Sequence, residues 1–335
     1  MKTFATLFSG GEGVGVGLTA AGLSHLWGIE YAPAIAAVAQ ANGFDVTVAD
    51  VRAVDYAAMP RADWLHASPS CTRASVANAN ATEAQEDIEA AQAVCRALAA
   101  QEPEVFTLEN VWQYRTFAAF RLICDQLGRM GYFWTYSHEN AADYGVPQTR
   151  RRLILRAARC LLPHLPQPLP WVGWYAAIED LIPTLPESKL APWQLARLPA
   201  ELRGAVLIGG AISAPTVLGG DPCFTVISNH VPARTRAVLV AGLLNSECTT
   251  LTARNGDDPS FTVTTSHNQK DARAWTGARV VAMTPRCLAR FQSVPDSYTL
   301  PDKSTLAAKV IGNMVPPLMM QRIAEGMLDV MAAQA

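Results

Sequence analysis

Residues 3 to 8 (Thr-Phe-Ala-Thr-Leu-Phe) form an apolar, strand-like run that breaks into Ser9-Gly10-Gly11-Glu12-Gly13-Val14-Gly15, and no other junction constrains the fold as strongly. A buried strand that ends in a glycine-rich turn and hands over to a helix opens a βα unit, because glycine lets the backbone turn sharply between the two. The pattern predicts a strand over 3–8, a turn over 9–17 and a helix opening at Leu18 to Gly22. Further strands are expected at His25–Tyr31, Val46–Ala49, Trp64–Ala67, Val105–Glu109 and Arg152–Arg156, with helices at Pro33–Asn42, Glu83–Ala100 and Phe117–Met130. Such alternation specifies an α/β fold with a doubly wound, mostly parallel sheet. After Cys160 the prolines at 163, 166, 168 and 170 interrupt the pattern, and short Thr/Val segments separated by Gly, Asn and Asp follow. A smaller, loop-rich, partly β domain is therefore expected over 165–282. Helix-forming sequence returns past Thr284, with an amphipathic helix from Pro317 to about Met331, so 1–164 and 283–335 are expected to form the larger domain.

Half of the 335 residues are apolar, enough for a substantial core. Met1-Lys2-Thr3-Phe4 leads directly into the first strand without a signal-peptide pattern, and no run of about 18 apolar residues occurs. A cytoplasmic protein without a membrane partner is expected. Seven cysteines, at 71, 95, 124, 160, 223, 248 and 287, are odd in number and show no Cys-x-x-Cys pair, which argues against disulfides and structural metal. The net charge of −2 gives no support to a nucleic-acid partner. Yet the basic set holds 22 Arg against 5 Lys, and Arg is the residue suited to forked contacts with phosphate and guanine.

Two constellations carry chemistry. Glycines 10, 11, 13 and 15 between a strand and a helix permit close backbone approach to a nucleotide-like ligand. Glu30 at the end of the next strand can hold ribose hydroxyls, Tyr31 can stack on an adenine ring, and Asp50 can accept from an adenine amine. The second constellation is Ser68-Pro69-Ser70-Cys71, then Glu109-Asn110-Val111, then Gln148-Thr149-Arg150-Arg151-Arg152. It offers a nucleophile, an acid and a guanidinium in one order. A lone Cys is more often a buried packing residue; the three together favour catalysis.

At these residues the chain resembles the cytosine-C5 DNA methyltransferase family, over about the first 160 residues and again over 283–317. Leu7-Phe8-Ser9-Gly10 is similar to the family's first cofactor motif, and Glu30-Tyr31 and Asp50-Val51 to its ribose and adenine contacts. Ser68-Pro69-Ser70-Cys71 stands where the family has Pro-Pro-Cys, and Glu109-Asn110-Val111 and Gln148-x-Arg150-x-Arg152 match two further motifs. Thr284-Pro285-Arg286 with Arg290-Phe291-Gln292 resembles the segment beneath the target-recognition region. Gly312-Asn313-Met314-Val315-Pro316-Pro317 resembles the closing motif that returns to the cofactor pocket. The chain departs at three positions: Ser70 replaces the second proline, Thr72 the usual Gln, and Thr6 stands where an acidic residue is common.

The resemblance implies a class I methyltransferase, Rossmann-like fold with a target-recognition domain. It also implies S-adenosylmethionine as cofactor and methyl transfer to C5 of a flipped-out cytosine in duplex DNA at a short sequence. Cytosine C5 is a poor nucleophile until a thiolate adds to C6, the role implied for Cys71. A free thiol has a pKa of roughly 8.5, and Arg73 or Arg152 nearby would raise the thiolate fraction. Glu109 would share a proton with cytosine N3, Arg152 would hold O2, and Arg150 would support the loop or a phosphate. Cofactor contacts are implied for Phe8, Ser9, Gly10, Gly11, Gly13, Glu30, Tyr31, Asp50, Val51, Pro69, Asn313 and Val315. Arg73, Ser75, Gln148, Arg234, Arg236, Arg254 and Asn268 are candidates for DNA contacts, although residues of these types are more often ordinary surface positions. A monomer is expected, with or without a cognate restriction endonuclease acting separately.

Two alternatives stay open. One is the tRNA-directed branch of the family, one of whose tripeptides Cys223-Phe224-Thr225 resembles; the other is a cofactor-binding module that recognises DNA without modifying it. Cys71, Glu109 and Arg152 speak against the second, since a binder needs no thiol. A dinucleotide-dependent oxidoreductase, the reading from glycines alone, explains neither Cys71 nor the arginines.

Overall fold

Phe4, Ala5, Thr6 and Leu7 are all but removed from solvent, which requires the first strand to be covered on both faces and flanked on both edges. The computed structural model, which describes residues 2–69, 82–189, 205–208, 216–226, 236–239 and 279–334, places it in that position. Strands β1 (Thr3–Leu7), β2 (Ser24–Glu30), β3 (Val46–Val48), β4 (Trp64–Ala67), β5 (Val105–Asn110), β6 (Phe133–Asn140) and β7 (Arg151–Ala158) form one sheet in the order β3-β2-β1-β4-β5-β7-β6. The first five run parallel. β7 is antiparallel to both β5 and β6.

Helices cover both faces. Ala5, Leu7, Leu65, Phe106 and Leu108 pack with Val94 and Leu98 of α3 (Gln85–Gln101) and Ile123 and Leu127 of α4 (Ala118–Arg129). The alternate positions Phe4, Trp64, Val105 and Ile154 face Val14 and Leu18 of α1 (Gly13–Ala20). α2 (Pro33–Ala41) and the short α5 (Trp174–Ile178) precede α6 (Pro285–Phe291), α7 (Ser304–Asn313) and α8 (Pro317–Gln334) in the chain. Met319, Met320 and Ile323 of α8 join the α1 face. A second, antiparallel sheet holds β8 (Ala205–Ile208), β9 (Thr216–Leu218), β10 (Arg236–Leu239) and β11 (Arg279–Ala282), in the order β11-β10-β8-β9. Among the described residues no helix is long and apolar enough to cross a membrane.

Two expectations need correction. α1 begins at Gly13, not Leu18. Glycine in a helix costs about 1 kcal/mol relative to alanine, but here the missing side chains let α1 lie against the start of α8. A Cβ on Gly13 would stand 2.4 Å from the Val315 carbonyl oxygen, and one on Gly17 2.4 Å from that of Pro317. The second correction is β6, a strand the sequence pattern does not announce. Phe133, Trp134, Thr135 and Tyr136 are all exposed on this edge strand, so no buried face imposes the two-residue alternation by which a strand is recognised.

Candidate active site

Three of the expected motifs meet, in their described residues, at one edge of the main sheet. β4 and β5 are parallel and end there together, and β7, running the other way, starts there. Ser68 and Pro69 leave the end of β4, Glu109 and Asn110 end β5, and Arg151 and Arg152 open β7. Antiparallel pairing of Asn110 with Leu153 explains how residues some forty positions apart become neighbours. The Arg152 Nε lies 3.0 Å from Glu109 Oε1, and both side chains are largely buried. A further bond from Arg152 Nη1 to the Arg151 carbonyl, 2.8 Å, holds the guanidinium. Asn110 Nδ2 donates to the Pro69 carbonyl at 3.0 Å while its Oδ1 accepts from the Val111 N–H at 2.8 Å, tying the end of β5 to the segment that follows β4. Cys71, Arg73, Ser75, Arg234, Arg254 and Asn268 lie outside the described residues. Cys223 and Cys287 are buried, Cys95 and Cys124 largely so, and burial raises the thiol pKa of each, making these four poor nucleophiles.

Beside this edge, the turn after β1 forms a cup. Phe8, Gly10 and Glu12 all take the left-handed backbone conformation, with φ of 57°, 57° and 58°. Ser9 N–H donates to the Ile29 carbonyl at 2.9 Å. Glu30 receives the Gly10 N–H on one oxygen, at 2.9 Å, and the Ala32 N–H on the other, at 2.8 Å. A carboxylate accepts about four bonds, so capacity remains for ribose hydroxyls. The Tyr31 ring is 73% exposed and free to be covered. Gly10 faces open space, whereas Gly11 and Gly13 are packed beneath Met314 and Val315. Val315 is buried and Asn313 exposed. Asp50 caps the turn that contains Val51 and is gripped by Arg52, whose hydrogen bonds hold the Asp50 carboxyl below the usual carboxylate range. This exposed aromatic ring, acceptor carboxylate and open glycine fit the adenosine half of S-adenosylmethionine.

Two of the expected site residues, Gln148 and Arg150, form internal ties. Gln148 has no exposure: its Nε2 donates to the Phe291 carbonyl and to Gln292 Oε1, and its Oε1 accepts from the Val226 N–H at 3.0 Å. It is spent inside the protein and does not face DNA. Arg150, 3% exposed, donates to the carbonyls of Val226 and Gly312, each at 3.1 Å, which is the supporting role, one of the two expected of it. Arg236 opens β10, half-buried. Cys223-Phe224-Thr225 is likewise structural: Cys223 N–H donates to the Pro147 carbonyl and Thr225 Oγ1 to that of Thr149.

The chain matches, over residues 2–178 and 239–329, the family described as C-5 cytosine-specific DNA methylase. It belongs to that family. This methylase is 26% identical over 348 residues to the type II methyltransferase M1.HphI of Haemophilus parahaemolyticus, covering 97% of this chain and 86% of that one. Its identity to M.XorII of Xanthomonas oryzae is 28% over 259 residues, 66% of this chain and 58% of the relative. In fold it is similar to the methyltransferase EhMeth of Entamoeba histolytica, with a TM-score of 0.64 at 11% identity over 99% of each chain. A DNMT2 variant from Spodoptera frugiperda gives 0.66 at 12% identity, covering 98% of this chain and all of that one. The methylase is thus a DNA (cytosine-5-)-methyltransferase that uses S-adenosylmethionine as methyl donor.

Sequence reasoning missed several residues that shape the site. Glu12, wholly buried, directs its carboxylate to Thr6 Oγ1 and lies 3.5 Å from His25 Nε2. Cβ atoms on Gly28 or Gly15 would collide with its oxygens, so two glycines make its berth. Thr6 stands where the family commonly has an acid, and a carboxylate arrives there from six residues on. Tyr298 Oη donates to the Gly11 carbonyl at 2.6 Å. Buried polar residues such as His66 and Thr107, set within the apolar runs Trp64–Ala67 and Val105–Leu108, were the available signal.

Proposed function

We propose that this enzyme methylates C5 of a cytosine flipped out of duplex DNA at a short sequence, through a transient bond between Cys71 Sγ and cytosine C6. The Glu109–Arg152 pair carries the reading, because it sits at the edge where β4 delivers Ser68 and Pro69. Position 71 follows Pro69 by two residues, a reach of at most about 7 Å, which supports Cys71 as the nucleophile for this edge. Glu109 holds a proton shared with N3, and Arg152 holds O2; both draw electron density from the ring and favour addition of the thiolate at C6. The C5 carbon then bears the enamine's nucleophilic density. S-adenosylmethionine, when bound, supplies an electrophilic methyl on sulfonium, with Glu30, Tyr31 and Asp50 for its adenosine and the Phe8–Gly10 turn for its remainder. The C5 proton leaves to solvent, the Cys71–C6 bond breaks and the thiolate returns. Extrusion of the base costs a few kcal/mol.

We further place the target-recognition domain at 165–282, with Arg234, Arg236, Arg254 and Asn268 facing DNA and Arg73 and Ser75 near the flipped base. The names of M1.HphI and M.XorII as type II methyltransferases support a restriction-modification setting, in which a monomeric methylase and a cognate endonuclease act separately on DNA. The test uses enzymatically amplified, hence unmethylated, duplex DNA and labelled S-adenosylmethionine. The chain is expected to incorporate label, and Cys71→Ala to abolish transfer while retaining cofactor binding. DNA carrying 5-fluorocytosine should trap a covalent adduct, since fluorine cannot leave as a proton. Full activity of Cys71→Ala, or turnover without trapping, would remove the thiol from the mechanism.

A further inference from the structure

Four polar side chains, flanked by a glycine on β2, cross the main sheet at a single level, one step below the catalytic edge. Strand register aligns Gly28, Thr6, His66, Thr107 and Arg156 across β2, β1, β4, β5 and β7. All lie on the α1 face, which is otherwise built from Phe4, Trp64, Val105 and Ile154. His66 is the centre of this row. Its Nδ1 lies 2.8 Å from Thr107 Oγ1 and its Nε2 2.8 Å from Ser68 Oγ, while Trp64 Nε1 donates to Thr107 Oγ1 at 3.0 Å. Burial pushes the His66 imidazole down to about 3, so the ring is neutral and carries one N–H.

Hydrogen-bond accounting then fixes the direction of the chain. Indole Nε1 is only a donor, so Thr107 accepts from Trp64, and the threonine proton has no other acceptor among the described residues than His66 Nδ1. The imidazole proton therefore sits on Nε2 and is given to Ser68 Oγ. Ser68 is left with its own proton to donate. Ladder pairing of Ala67 with Leu108 puts Ser68, one residue on, opposite Glu109. The Ser68 N–H is bound to the Leu7 carbonyl at 3.2 Å and the Pro69 carbonyl to Asn110, so the backbone around this hydroxyl is pinned at two points.

We propose that His66 is a positioning residue for methyl transfer: it aims the Ser68 hydroxyl proton at the Glu109 edge of the site, orienting that carboxylate from the β4 side while Arg152 holds it from the β7 side. This rests on the roles assigned to Glu109 and Arg152 above. No Ser68–Glu109 hydrogen bond is formed in this structure, but Glu109 Oε1 is buried, has Arg152 Nε at 3.0 Å and has no aligned hydrogen bond among the described residues, so it keeps room for one further donor. The arrangement gives a reason for burying an imidazole, an indole N–H and a threonine hydroxyl in an apolar layer, where unpaired polar groups are costly.

The test measures steady-state methylation of amplified duplex DNA by the full chain and by four variants. Ser68→Ala removes a partly exposed hydroxyl and should lower kcat about tenfold with the KM for S-adenosylmethionine within twofold. Thr107→Val, an isosteric change remote from the reacting atoms, should lower kcat at least about threefold by freeing the imidazole, and Thr107→Ser should restore it. The double variant Ser68→Ala with Thr107→Val should be no slower than Ser68→Ala alone. A kcat for Ser68→Ala within twofold of the unaltered chain would overturn the proposal, as would equal kcat for Thr107→Val and Thr107→Ser. No label from the unaltered chain would instead overturn the methyltransferase reading on which the proposal stands.

Discussion

Replacing Gly17 with alanine sets two effects of opposite sign against each other. On helix propensity alone the change should stabilise α1 by about 1 kcal/mol. The structure reverses that sign. A Cβ at position 17 would stand 2.4 Å from the Pro317 carbonyl oxygen, with Gln321 N and Met320 Cβ at 3.0 Å, roughly 0.6 Å closer to the oxygen than the 3.0 Å that real Cβ atoms keep. The obstacle is backbone at the start of α8, so no rotamer change relieves it, and α1 and α8 must separate. Overpacking costs about 1–3 kcal/mol, and a backbone obstacle puts this case in the upper half of that range, leaving a net loss of about 1–2 kcal/mol and a melting temperature lower by roughly 1–3 °C. Gly128→Ala is the control: its Cβ would meet only Trp134 Nε1, at 4.0 Å, and it should stabilise α4 by a few tenths to about 1 kcal/mol. Scanning calorimetry of the two variants decides the matter. A Gly17→Ala protein that melts at or above the parent temperature would refute the close approach of α1 to α8.

Gln148→Leu should cost about 3 kcal/mol or more, because it strands the Val226 N–H and two acceptors in a buried site; a DNA-contact role would instead weaken DNA binding at unchanged melting temperature. Arg152→Lys keeps the charge but loses the planar fork, and kcat should fall about 100-fold in single-turnover assays while cofactor affinity holds. Stability should also fall in mild acid. The native His66 resists protonation down to about 3 against 6.5 when unfolded, so its contribution is intact above pH 6.5 and declines as pH falls toward 3, by up to about 1.4 kcal/mol per unit. Asp50, Asp180 and Asp296, held down by arginine partners, add losses only at lower pH. Urea titrations between pH 6.5 and 5 should therefore show a slope that His66→Gln flattens; an unchanged slope would contradict the buried neutral imidazole.

The larger sheet was legible because its parallel strands are buried on both faces, and runs such as Val105–Leu108 leave no other reading. Reading failed where the cause of a conformation lay far away in the chain. Helix α1 is glycine-rich because of Met314 to Gln321, some three hundred residues on, and β6 is a strand because β7 pairs with it, not because of its own pattern. The same holds in the site. Glu109 and Arg152 could be named from their motifs, and the antiparallel register of β5 and β7 brings them together. Gln148 and Arg150 belong to equally specific motifs, yet motif membership cannot tell a side chain that faces substrate from one that braces the carbonyls of Val226, Phe291 and Gly312. Burial makes that distinction.

The seam between α1 and α8 also bears on synthesis. A ribosome must pass residue 317 before the first helix meets the segment it is shaped to fit, so the nascent chain carries an uncovered, glycine-lined flank through nearly all of its translation. Products stopped short of that point by a nonsense codon would lack the cover over Gly11 and Gly13 and leave the flank of the first helix bare to water.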